Sequence, residues 1–233
     1  MRLLPSLLLL LIAVPLCAQD TPSPVWYDRF IFDIGIDYSY PVGQFADRQE
    51  GLRIGFQSAF YVSLGNRPIY LGAGYRQMRY SSERIDYSEI IDGEAVPFNI
   101  RTSNNSQGAR LIARLQPRVD FPLQPFAEGI LEGTWWYTRT VIEDEELDEN
   151  VESTRNASDF SPSYGAAAGA AFFFNEETTG VYLKASYLRG NTAEYFVYRD
   201  AVINPVDPID YFEPITGPTD RWLVSLGVVV LIY

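Results

Sequence analysis

Hydrophobic and polar residues alternate along most of the chain with a period of two, which is typical of β-strands. Between 30 and 40 every even position is hydrophobic, whereas the odd positions include Asp33, Gly35 and Asp37. The same alternation recurs and predicts eight strands, at 30–40, 52–64, 69–80, 109–116, 126–139, 163–174, 181–189 and 222–233. Their lengths are near the ~9–11 residues that a tilted strand needs to cross a bilayer.

The segments between the predicted strands alternate between short and long. Those at 65–68, 117–125 and 175–180 are short, and three of the other four are long, namely 81–108, 140–162 and 190–221 but not 41–51. In an antiparallel sheet this order places the short turns at one end and the long loops at the other. Transmembrane barrels have short periplasmic turns and longer extracellular loops. The pattern therefore predicts an all-β fold, an eight-stranded antiparallel up-and-down transmembrane β-barrel.

Alternation alone does not say which face of the strands points outward. A soluble lipocalin-like barrel has an apolar interior that can bind an apolar ligand, whereas a membrane barrel has a polar interior and an apolar exterior. The polar faces carry charges of both signs at mid-strand, which favours the membrane barrel because nearly balanced charges can pair inside it. We predict a charge cluster in the lumen that has either a structural or a gating role. It consists of Asp33, Asp37, Arg53, Arg76, Arg110, Arg114, Glu128, Glu132 and Lys184. Within it we expect Arg110 and Arg114 to lie near Glu128 and Glu132.

Aromatic residues lie toward the ends of the predicted strands, as in the aromatic girdles at bilayer interfaces. They are Trp26, Tyr27, Tyr38, Tyr40, Trp135, Trp136, Tyr137, Trp222 and Tyr233. The last segment, 222–233, is apolar on both faces and would be an aggregation-prone edge in water. Paired with the first strand, it would close the barrel.

The first 18 residues have the pattern of a secretory signal peptide. Arg2 supplies the positive charge, 3–16 is almost wholly apolar, and Ala18 is a small residue at which a peptidase could cut. We therefore expect a signal peptide over 1–18 and an outer-membrane barrel domain over 19–233. An alternative is that Cys17, the single cysteine, carries a lipid anchor.

Composition removes several classes of function. The 233 residues carry a formal charge of −12 and include no histidine, which excludes Ser-His-Asp triads and imidazole metal ligands. The acidic balance makes nucleic acid a poor partner. Glu128 and Glu132 are a candidate glycosidase pair, but four residues of strand separate them by about 13 Å, beyond the ~6.5–9.5 Å of an inverting pair. We expect no enzyme, no cofactor and no metal site, and a solvated loop at the acidic run 143–149.

Two segments carry a resemblance to a known family. The stretch 38–47 is similar to the first strand and first loop of small outer-membrane β-barrel proteins, the OmpA/OmpX-like group and porin-family barrels of Bacteroidetes-type bacteria. The end of the chain is similar to the family's assembly signal, at Ser225, Gly227, Val230, Ile232 and Tyr233.

This resemblance implies a place in the outer membrane of a Gram-negative bacterium and contact with outer-membrane lipids. It also implies insertion by the barrel-assembly machinery with the help of periplasmic chaperones. The expected function is a structural or adhesive surface role, or at most narrow solute passage.

Overall fold

The chain folds into ten strands and one short 3₁₀ helix in a computed structural model, which describes residues 30–47, 53–65, 67–91, 94–117, 119, 121–144, 149–174, 178–198 and 212–232. The strands are β1 (Phe30–Pro41), β2 (Arg53–Ser63), β3 (Ile69–Ile91), β4 (Glu94–Leu115), β5 (Leu123–Asp144), β6 (Glu149–Phe174), β7 (Thr179–Gly190), β8 (Thr192–Tyr198), β9 (Phe212–Pro218) and β10 (Arg221–Ile232). The 3₁₀ helix, Gly43–Phe45, follows β1.

Eight of these strands form a closed antiparallel barrel in the order β1-β10-β7-β6-β5-β4-β3-β2. The first and last strands pair along their whole length, from Phe30 with Ile232 to Pro41 with Arg221. Following the paired residues once around the barrel from Phe30 leads back to β1 at Tyr40, ten residues further along. Such a stagger requires tilted strands, as barrel closure does in general. The predicted fold class is confirmed.

Two of the predicted long loops are largely β-structure, so the predicted loops at 81–108 and 140–162 are wrong. β3 and β4 continue as a hairpin to Ile91 and Glu94, and β5 and β6 continue to Asp144 and Glu149. Residues 102–106 of β4 are all polar and all buried, so this stretch has no period-two alternation of hydrophobic and polar residues that would predict a strand. Of the acidic run 143–149, which was expected to be a solvated loop, residues 143, 144 and 149 lie in the paired ends of β5 and β6, and 145–148 is outside the described residues.

The connection at 190–221 also contains structure that the sequence did not predict. β8 and β9 pair with each other as a separate two-stranded sheet. This hairpin packs against β5, β6 and the 3₁₀ helix. Its backbone is tied to β6, since the amide of Asn191 donates to the carbonyl of Pro162 at 3.0 Å.

The outward face of the barrel is an apolar belt. Its exposed members include Ile34, Ile36, Ile54, Phe56, Phe60, Val62, Leu71, Leu111, Leu115, Leu131, Phe172, Val181, Leu183, Leu226 and Val228. Aromatic residues continue the belt toward the long hairpins, with Tyr40 paired beside Trp222 and Trp135 beside Phe160. Trp136 is not part of this girdle, because its position in β5 points it inward and buries it.

The belt and the charged interior are the reverse of a soluble barrel, so the alternative of an apolar ligand inside a lipocalin-like barrel is wrong. Trp26, Tyr27, Tyr233 and the predicted signal peptide lie outside the described residues. None of the helical segments within the described ranges is long and apolar enough to cross a membrane.

Replacing a belt leucine by arginine tests whether the belt faces lipid. Leu226 lies on the outward face of β10 between Trp222 and Ile232, and Leu64 lies beside the β2–β3 turn. We expect Leu226→Arg to lower the free energy of unfolding by about 2–4 kcal/mol and Leu64→Arg by only about 0–1 kcal/mol, because the cost depends on depth in the bilayer. Urea unfolding in lipid vesicles, followed by tryptophan fluorescence, measures both. Equal effects of the two variants would contradict a lipid-facing belt.

Candidate functional site

The structure places all nine residues of the predicted lumen cluster inside the barrel. None of these side chains is more than 5% exposed. A tenth charged residue, Arg221, is also buried there at the start of β10. Arg221 was missed at the level of sequence because the predicted last strand began one residue later. The available signal was its position two residues before Leu223 and four before Ser225, both of which lie on the inward face of β10.

Four of the charged residues form a network toward the short turns, which we call the lower network: Asp33, Arg114, Glu128 and Lys184. Arg114 Nη2 lies 2.6 Å from Asp33 Oδ2 and 2.5 Å from Glu128 Oε1, and Lys184 Nζ lies 3.2 Å from Glu128 Oε2. The Tyr61 hydroxyl is 2.9 Å from Asp33 and 3.0 Å from Glu128, and its ring lies under the Arg114 guanidinium at 3.8 Å. Two acids and two bases leave this network formally neutral.

Four others form the upper network, toward the long hairpins: Asp37, Arg76, Glu132 and Arg221. Arg76 bridges Asp37 Oδ2 and Glu132 Oε2, each at 2.6 Å. Arg221 Nη2 reaches Glu132 Oε1 at 2.5 Å, and the Thr134 hydroxyl donates to the same oxygen at 2.9 Å. This network is also formally neutral, with two acids and two bases.

A hydrogen-bonded chain that starts at the cation Arg110, which we call the Arg110–Gln57–Tyr182 bridge, lies between the two networks. Arg110 donates to Gln57 Oε1 at 2.8 Å, and Gln57 Nε2 donates to the Tyr182 hydroxyl at 2.6 Å. Glycine makes room for that hydroxyl, since a Cβ on Gly35 would lie 2.5 Å from it.

The pairing of β4 with β5 brings the two arginines close to the two glutamates, as expected. Arg114 lies opposite Glu128 and Arg110 opposite Glu132. Only Arg114 forms the direct ion pair with its opposite partner, because Arg110 turns its guanidinium to Gln57 and to the carbonyls of Ser58 and Tyr75.

Four aromatic side chains close the barrel above the upper network, and we call them the aromatic cap: Phe45, Tyr80, Trp136 and Tyr195. Phe45 comes from the 3₁₀ helix and Tyr195 from β8, and their ring centroids are 5.1 Å apart. Phe45 also packs edge-on against Trp136 at 5.7 Å. The sequence did not predict this cap because Phe45 and Tyr195 lie in connections that show no periodic pattern.

The cap rests on two arginines of the lumen. The guanidinium of Arg53 lies 5.5 Å from the centroid of Tyr80, and that of Arg221 lies 5.6 Å from Trp136. From the turn end outward, the lumen thus contains the lower network, the Arg110–Gln57–Tyr182 bridge, the upper network and the cap.

Glu128 and Glu132 do not come together as a carboxylate pair, and the described residues contain no cluster of metal ligands. Glu128 and Glu132 belong to different networks, and both carboxylates are ion-paired. No group of three or more His, Cys, Asp or Glu side chains that could hold a metal occurs in the described part of the chain.

Comparison with known proteins gives only distant likenesses. No protein-family model matches the chain, and no curated protein matches it. Among solved structures, it is similar to Neisserial surface protein A, with 9% identity, a TM-score of 0.48 and coverage of 87% of this chain and 97% of that one. It is also similar to Ail, the attachment invasion locus protein of Yersinia pestis, with 14% identity, a TM-score of 0.41 and coverage of 88% and 99%.

A major outer membrane protein from Thermus thermophilus shows 8% identity, a TM-score of 0.42 and coverage of 86% of this chain and 98% of that one. At such low identities the fold is established by the closed barrel of this chain itself, and the function has to be inferred from its own residues.

Removing one acid from the upper network tests its contribution to stability. Glu132→Gln leaves Arg76 and Arg221 without their shared anion, and breaking a buried ion pair in this way costs about 3–5 kcal/mol. The control is Asp47→Asn, at an exposed position beyond the 3₁₀ helix, which we expect to change stability by less than about 0.5 kcal/mol. Urea unfolding in vesicles measures both variants. An effect of Glu132→Gln no larger than that of the control would contradict the proposed network.

Proposed function

We propose that the protein is an integral outer-membrane β-barrel of a Gram-negative bacterium, that it is not an enzyme, and that its closed lumen supports a structural or adhesive role at the cell surface. The main support for this proposal is that side chains fill the lumen of the barrel. Ten charged side chains and the aromatic cap occupy the space that a pore would need.

The placement in a membrane is supported by the distribution of polarity across the barrel wall. The apolar belt faces outward, and the ion-paired residues face inward, as in transmembrane barrels. Outer-membrane lipids would therefore surround the belt.

The closed lumen is supported by the size of the barrel. An eight-stranded barrel has an interior just wide enough for side chains to fill, whereas barrels of 16–18 strands leave an aqueous channel. Here the two networks and the Arg110–Gln57–Tyr182 bridge between them fill that interior. Solute passage would require several buried ion pairs to separate together.

A surface role is supported by the unequal length of the strands. β1, β2, β7 and β10 have 11 or 12 residues, whereas β3, β4, β5 and β6 have 22 to 26. The part of β3 from 81 to 91 alone extends over about 36 Å. The long strands form a four-stranded wall on one side of the barrel mouth, and the β8–β9 hairpin packs against it. Such a wall offers a large surface for contacts outside the membrane.

The assembly route is part of the proposal. Ser225, Gly227, Val230 and Ile232 lie on β10, the strand that pairs with β1 and closes the barrel, and Tyr233 lies outside the described residues. Recognition of this strand by the barrel-assembly machinery, after delivery by periplasmic chaperones, would place closure at the last step of insertion.

Single-channel conductance in a planar bilayer tests the closed lumen. We expect no discrete, steady conductance from the refolded wild-type protein, because the two networks and the cap block the path. A difference in gel migration between the unboiled and the boiled sample verifies that the barrel has folded. The double variant Glu128→Ala/Glu132→Ala removes one acid from each network and serves as the comparison. Discrete steps in the wild-type protein that grow in the double variant would overturn the proposal and make the networks a gate.

A further inference from the structure

A cavity of about 160 Å³ lies on the outer side of the aromatic cap. Its lining includes the cap residues Tyr80, Trp136 and Tyr195 and, from the wall, Asn104 and Asn105. Thr138, two residues beyond Trp136 in β5, also lines it, which places the cavity above the cap on the side of the long hairpins. The proposed structural role makes no use of this space.

Two buried groups that line the cavity have unused hydrogen-bonding capacity. Trp136 is 4% exposed and Tyr80 is 7% exposed, yet Trp136 Nε1 and Tyr80 Oη make no hydrogen bond to any residue that the structure describes. Buried polar atoms are nearly always hydrogen-bonded, because leaving one without a partner costs free energy. Both atoms are closed to solvent, so a ligand in the cavity that turns either lining side chain toward itself would supply the missing partner.

The amide groups of the wall are held in place by their neighbours. Asn104 Oδ1 accepts from the Thr138 hydroxyl at 2.6 Å, and Asn104 Nδ2 donates to Ser81 Oγ at 2.8 Å. Asn105 Nδ2 donates to the carbonyl and the hydroxyl of Ser103, both at 3.1 Å. These bonds fix the orientation of the Asn105 amide beside the two donors. Groups positioned in this way bind with little further ordering.

The charges around the cavity favour a neutral ligand. The guanidinium groups of Arg53 and Arg221 already lie over Tyr80 and Trp136, which weakens the attraction of those rings for a further cation. The carboxylates of Asp159 and Glu194 in the lining oppose an anion. Both carboxylate oxygens of Asp159 already accept a hydrogen bond, from the backbone amides of Phe160 at 2.7 Å and Glu194 at 2.6 Å.

We propose that this cavity binds one neutral sugar ring, such as the terminal unit of a surface glycan. A sugar ring has an apolar C–H face that packs on aromatic rings and hydroxyl groups that both donate and accept hydrogen bonds at its edge. The cavity has room for about five waters and is below the ~300–1,000 Å³ of sites for drug-sized ligands, so it fits a single ring. The exposed Ser158 and Glu194 at its margin leave an entrance from solvent.

The position of this site outside the membrane rests on the proposed function, whereas the binding itself does not. Binding to the purified barrel in detergent is independent of conductance and of orientation in a membrane. If the conductance experiment contradicts the proposed function, the binding result still holds, and if no sugar binds, the conductance result still holds. The failure of the proposed function and the failure of the sugar site are therefore distinguishable.

Saturation-transfer NMR titration of the refolded protein tests the site. The detergent is a dodecyl amine oxide, because sugar-headed detergents would compete. The neutral probes are methyl β-D-glucopyranoside and its N-acetylglucosamine counterpart, and the charged probes are glucosamine and glucuronate. We expect saturable binding of at least one neutral probe at millimolar concentration and weaker binding of both charged probes.

Two pairs of matched variants locate the binding. Tyr80→Phe removes only a hydroxyl that has no hydrogen-bond partner among the described residues, so we expect its stability to be equal or higher. We expect its affinity to fall about five- to tenfold, the effect of one hydrogen bond. Trp136→Phe should weaken binding to a similar degree. Tyr75→Phe and Trp135→Phe are the controls, because both side chains are exposed on the outward face of the same two strands.

The proposal is overturned if no neutral probe binds saturably, if a charged probe binds best, or if Tyr80→Phe and Trp136→Phe bind like their controls. Gel migration without boiling shows which variants are folded. If Trp136→Phe fails to fold, Tyr80→Phe decides alone.

Discussion

The structure depends on the cost of placing charged groups in an interior without bulk water. A buried ion that lacks a partner costs several kcal/mol, so a narrow barrel holds charged side chains at least cost where they neutralise one another. The lower and upper networks each combine two acids with two bases. The two further bases leave these ten residues with an excess of two positive charges. Arg110 donates to Gln57, and the guanidinium of Arg53 lies over the ring of Tyr80.

This constraint also fixes the register of the strands. Shifting a strand by one residue would move its inward side chains into lipid and bring apolar side chains into the lumen. Gly35 and Gly227 show how closely the register is fitted, because they lie opposite each other on β1 and β10 and leave space for the side chain of Tyr182. The same register gives the ten-residue stagger around the barrel, and with it the tilt of the strands.

The parts of the molecule that could be predicted are those in which the membrane imposes a pattern. The apolar belt on one face and the ion pairs on the other correspond to the period-two alternation that located all eight barrel strands and nine of the ten lumen charges. Beyond the bilayer this pattern is lost, and the outer halves of β3, β4, β5 and β6 were predicted as loops. The aromatic cap depends on contacts between Phe45, Trp136 and Tyr195, which are far apart in the sequence, and no local signal points to it.

The central claim is that the buried ion pairs stabilise the barrel through their mutual interaction, and a double-mutant cycle on Arg114 and Glu128 tests it most directly. The four proteins are the wild type, Arg114→Met, Glu128→Gln and the double variant, unfolded by urea in lipid vesicles. The account predicts a favourable coupling free energy of at least about 1 kcal/mol, since residues in one ion-pair network couple by ~0.5–3 kcal/mol. Additive effects of the two substitutions, within about 0.3–0.5 kcal/mol, would contradict it.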